Sequence, residues 1–104
     1  MAKNNREAAE SGAVHRTIPK RVTDVAVTAS SGTQDLKQFS GQWIYLRALG
    51  ADITLRLGTA VANTGEGFVI GTTDGLQEFF VDPGDDMMLH HRATGAATLR
   101  ILSD

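Results

Sequence analysis

The sequence predicts an all-β fold, a compact antiparallel β-sandwich of jelly-roll-like form with an extended N-terminal arm. Three observations predict it. Turn signals interrupt residues 22–104 every eight to twelve positions: Ser30-Ser31-Gly32, Ser40-Gly41, Gly50, Gly58, Asn63 to Gly67, Gly71 to Gly75, Asp82 to Asp85 and Thr94-Gly95. The runs between them are short and rich in Val, Ile, Thr, Leu and aromatic residues. No run of ten or more residues there combines a helical period with caps.

The elements follow in chain order. Residues 1–21 form a basic arm, with Lys3, Arg6, Arg16, Lys20 and Arg21 against Glu7 and Glu10, a net +3. Val14 and Ile18 are the arm's only large aliphatics besides Met1, too few to fold it alone. Asn5 to Glu10 suffice for one marginal helical turn capped by Asn4 or Asn5. Ile18-Pro19 favours extended chain at residue 18. The arm is expected to order against a partner, or to be a plain tail. Residues 22–104 form the body, with five cations against ten acids, a net −5. The overall formal charge of -2 therefore conceals a basic arm on an acidic body.

Within the body, Val25, Val27 and Ala29 share one face of a strand. Ile53, Leu55 and Leu57 do the same, opposite Thr54 and Arg56, and so do Leu99 and Ile101, opposite Thr98 and Arg100. Further strands are expected at 34–39, 42–48, 60–63, 67–70, 76–81 and 87–92, eight or nine in all. Connections this short require antiparallel pairing, which leads to a sandwich or a small barrel. A body of this size has a thin core and no Cys to staple it. It is expected to gain stability by assembling as a homo-dimer or homo-trimer, or by docking on something larger.

The strand Gln42-Trp-Ile-Tyr-Leu-Arg47 is apolar on both sides. Trp43 and Tyr45 face one way, Ile44 and Leu46 the other. One side is core; the other needs cover from a neighbouring sheet, the arm or a partner. Trp43 and Tyr45 are thus candidate interface residues, or a stacking platform for a sugar ring, or simply part of a strand packed on both sides.

Other constellations read as structural. His90 and His91 are strand neighbours and point to opposite faces, so they do not share a metal. One is expected near the core edge and one in solvent. Asp82-Pro-Gly-Asp-Asp86 lacks the spacing of a calcium loop and reads as a tight turn. Gly65-Glu-Gly67 and Gly71 to Gly75 lack the context of a phosphate loop and read as hairpin connections. No serine sits in a nucleophile elbow. The expectation is a non-enzymatic protein with no cofactor and no metal. An acidic body repels a phosphate backbone, so nucleic acid is not the expected partner, and no apolar stretch approaches the length of a membrane span. A basic arm suits an acidic protein surface, with Arg6, Arg16, Lys20 and Arg21 as the pairing groups.

The run Gly41-Gln-Trp-Ile-Tyr-Leu-Arg-Ala-Leu-Gly-Ala-Asp-Ile-Thr-Leu-Arg-Leu-Gly58, the segment Gln77-Glu-Phe-Phe-Val-Asp-Pro-Gly84 and the ending Gly95-Ala-Ala-Thr-Leu-Arg-Ile-Leu102 resemble small structural proteins of tailed-bacteriophage virions. The resemblance is one of strands and turns, and it carries over no functional residue. It implies a capsid cement, or decoration, protein made in the host cytoplasm and placed on the outer capsid surface. There it would bridge subunits of the major capsid protein. A tail or head–tail connector protein and a carbohydrate-binding β-sandwich module are the alternative readings.

Overall fold

The computed structural model describes residues 18–104. Eight strands form in chain order: β1 (Arg21–Val27), β2 (Gly32–Asp35), β3 (Trp43–Leu49), β4 (Ile53–Leu57), β5 (Phe68–Ile70), β6 (Gln77–Phe80), β7 (Met88–Ala93) and β8 (Ala97–Ser103). They build two four-stranded sheets, sheet A in the order β1-β8-β3-β6 and sheet B in the order β2-β7-β4-β5. All pairings are antiparallel.

The pairs β4–β5, β3–β6, β2–β7 and β1–β8 are nested, as if one long hairpin had been rolled up. Successive nested pairs alternate between the sheets, which is the jelly-roll arrangement. The all-β sandwich expected from turn spacing and alternation is the fold that forms.

Alternation decides which groups fill the space between the sheets. Val27, Ile44, Leu46, Ala48, Leu99 and Ile101 come from sheet A; Ile53, Leu55, Ile70, Leu89 and Ala93 come from sheet B, and all are buried. On β3 the core side is that of Ile44 and Leu46, so Trp43 and Tyr45 lie on the outer face of sheet A.

Three local expectations differ from the structure. The strand expected at 34–39 is split: β2 ends at Asp35, and Lys37–Phe39 form a 3-10 turn. The Asp35 carboxylate accepts the Lys37 N–H at 2.8 Å and fixes the turn, which carries Phe39 into the core. The strand expected at 60–63 is instead part of the β4–β5 loop, which folds over the outer face of sheet B. Its Val61 is fully buried, Ser31 Oγ accepts the Val61 N–H at 3.2 Å, and Thr54 Oγ1 accepts the Gly65 N–H at 2.9 Å. The Arg92 guanidinium, on the same face, donates to the carbonyls of Val61 and Ala62. The Gly71 to Gly75 segment is not a hairpin connection, because β5 lies in sheet B and β6 in sheet A, so it crosses between sheets.

Gly67 lets that loop return to the sheet. A Cβ at this position would lie 2.4 Å from the Leu55 carbonyl oxygen, a backbone atom with no room to give. Gly67→Ala is expected to destabilise the fold by about 2 kcal/mol, read as a lower denaturant midpoint at unchanged slope.

Candidate functional site: the outer face of sheet A

The register of sheet A places its outward side chains in rows. Val22 on β1 pairs with Leu102 on β8, which pairs with Tyr45 on β3. At the same end of the sheet Trp43 pairs with Phe80 on β6, with ring centroids 5.4 Å apart and planes tilted by 58°. Strands stand about 4.8 Å apart, so these five residues form one apolar area, bordered on β6 by Glu78, which is in register with Tyr45. Val22 is 62% exposed, and Trp43, Tyr45, Phe80 and Leu102 are half-buried. An apolar area on a sheet face is a candidate interaction surface.

The next row is charged. Asp24, Arg100 and Arg47 lie side by side across β1, β8 and β3. Arg100 donates from Nε to Asp24 Oδ1 and from Nη2 to Asp24 Oδ2, both at 3.0 Å. This two-point hydrogen bond holds the Asp24 carboxyl below the usual carboxylate range. The pair is solvated and adds little to stability. Its effect is positional: it neutralises one of two neighbouring arginines and leaves Arg47, which is exposed, as an added positive charge beside the apolar rows.

The basic residues expected to bind a partner divide into two groups. Arg6 and Arg16 lie outside the described residues. Lys20 and Arg21 belong to the edge of sheet A. The Lys20 N–H donates to the Ser103 carbonyl at 2.9 Å, and Arg21 is the first residue of β1, in register with Ser103. The sheet therefore takes in the last residues of the arm, and the chain enters the body next to Val22. Ile18, just before, is 86% exposed. The short helical turn expected at 5–10 also lies outside the described residues.

The residues read as structural take structural places. Asp82 Oδ1 accepts the Gly84 N–H at 2.8 Å, and the Asp85 N–H donates to the Asp82 carbonyl at 3.0 Å, closing the expected turn. His90 and His91 point to opposite faces of β7. His91 is more deeply placed than a core-edge residue: it lies between the sheets at 4% exposure. Neither ring nitrogen makes a hydrogen bond of normal geometry. Burial lowers the His91 pKa below the usual histidine value, and the Thr33 backbone only partly offsets this. His90 is half-buried on the other face rather than fully solvated. Among the described residues no group of three or more His, Asp or Glu side chains is placed to hold a metal ion. No helix among them is long and apolar enough to cross a membrane.

Comparison with protein-family models, with curated proteins and with solved structures finds no match to this chain.

Proposed function

We propose that the chain is a non-enzymatic capsid cement protein of a tailed bacteriophage. In this reading it associates as a homo-dimer or homo-trimer on the outer capsid surface and stabilises contacts between major capsid subunits. The observation that supports it is the apolar outer face of sheet A, where Val22, Leu102, Tyr45, Trp43 and Phe80 adjoin each other beside the entry of a basic chain segment. The opposite outer face, that of sheet B, is covered over Thr54 and Arg92 by the chain's own β4–β5 loop. A sandwich with a cluster of apolar side chains on one outer face is suited to assembly.

The arm has a separate part. Its cations, Arg6 and Arg16 with Lys20 and Arg21 at the sheet edge, pair with acidic groups on the shell. Exposed pairs are individually weak, on the order of 0–1 kcal/mol, so grip comes from many such contacts and from multivalency. Binding through these cations weakens as salt rises.

Copy number in purified virions tests this reading, measured by quantitative mass spectrometry against the major capsid protein. Hundreds of copies in fixed ratio to the shell are expected. About a dozen or fewer would move the protein to the tail or connector, and none would reject a virion role.

A further inference from the structure

A second surface feature lies away from sheet A's outer face. The edge strands β5 and β6 run along the same side of the sandwich, one in each sheet, and Phe68 and Phe79 meet edge-on between them, with centroids 5.3 Å apart at 85°. Phe68 is in register with Leu55 and Leu57 follows it by two on the same strand face, so both Phe68 and Leu57 face between the sheets. Yet Phe68 is 49% and Leu57 46% exposed. The sandwich is open at this corner, and behind the opening is a cavity of about 220 Å³ lined by core groups of both sheets. An apolar cavity of roughly 150 Å³ is enough to take a benzene ring.

The mouth of the cavity is charged. Asp82, Asp85 and Asp86 border it, with Arg56 as the one cation in its lining among the described residues. Asp82 and Asp86 are fixed by accepting the N–H groups of Gly84 and Met88 at 2.8 and 2.9 Å. The Asp85 carboxylate accepts no hydrogen bond among the described residues. An apolar space behind a rim of three carboxylates favours one kind of occupant. Its hydrocarbon part displaces water between the sheets, and its positive end stays at the turn.

We propose that this cleft binds a small amphiphilic cation, a ring or short alkyl chain carrying an ammonium or similar group. The site meets the assembly face only at Phe80; Val22, Leu102, Tyr45 and Trp43 take no part in its lining.

The test is a calorimetric and NMR titration of the full chain with octyltrimethylammonium, octyl sulfate and octanol, each below its micelle concentration. Saturable binding of the cation is expected, at least about tenfold tighter than that of the sulfate. Amide shifts should centre on Leu55, Phe68 and Phe79. Asp85→Asn, an exposed change, should weaken the cation about threefold and leave octanol unchanged. Leu57→Trp, which fills the mouth, should abolish binding of all three. Equal affinity for ammonium and sulfate, no saturable binding at millimolar concentration, or cation binding that survives Leu57→Trp would each overturn the proposal.

Discussion

Replacing Trp43 with Ala is expected to weaken self-association by about 2–4 kcal/mol, roughly 30- to 900-fold in Kd, while the sandwich stays folded. Trp43 sits on the outer face of sheet A, beside Phe80 and in the same area as Tyr45, Leu102 and Val22. Large aromatic groups at the centre of a patch carry most of an interface's energy, because they bury much area for little lost side-chain freedom. Within the monomer the same ring has only its tilted contact with Phe80 to lose beyond area, about 0.5–1.5 kcal/mol. The effect on association should therefore exceed the effect on stability. Val22→Asp, at a position 62% exposed, separates the two further. It should break association with almost no change in melting temperature. Arg56→Ala, away from this face, should leave association unchanged. Sedimentation velocity across a concentration series reads all three variants.

Acidification is expected to destabilise the fold through His91. Its ring is buried between the sheets, and burial lowers its pKa below the ordinary value of 6.5. The unfolded chain therefore takes up this proton first as pH falls. The stability that comes with a neutral His91 is fully present above about pH 6.5 and is lost as pH falls from there toward the folded-state pKa. In that window the unfolded chain binds up to one more proton than the folded one, so the slope is at most about 1.4 kcal/mol per pH unit. At this chain length each kcal/mol moves the melting temperature by about 4–8 °C. His91→Leu removes the group and should flatten the dependence between pH 7 and 5. Melting curves that fall as steeply in the variant as in the wild type would assign the acid sensitivity elsewhere. The Asp24–Arg100 pair acts in a different window. The Asp24 pKa is depressed below 3.8, so its contribution is present above that value and fades only in strong acid. That pair is exposed, and its share is small.

The fold was legible because local chemistry and packing agree along most of the body. Ile53 and Leu55 alternate with Thr54, and Leu99 and Ile101 with Arg100, and each alternation becomes a core face. The two-sided apolar character of β3 was equally plain, but it left open which side is core; the structure puts Ile44 and Leu46 there and Trp43 and Tyr45 on the outer face. What failed locally was decided by distant contacts. Ala60-Val61-Ala62 reads as a strand, yet Val61 is buried by lying across sheet B, held by Ser31 and Arg92, thirty or so positions away. Leu36 to Phe39 reads as a strand continuation, but the Asp35 side chain turns the chain first. Which strands share a sheet has no local signal, so the crossing at 71–75 has the local appearance of a hairpin. The cleft was invisible for the same reason, since Phe68 and Phe79 meet only through the pairing of whole sheets. His91 was the exception. Leu89, His91 and Ala93 share an alternation that places it inward.

The central claim is that the outer face of sheet A becomes buried when the protein assembles. The chain has one Trp, Trp43, on that face, so its fluorescence reports the claim without labelling. Acrylamide quenching should be measured across a concentration series, from the dissociated to the associated range. The quenching constant is expected to fall several-fold as the chain associates. A quenching constant that stays the same at every concentration contradicts it.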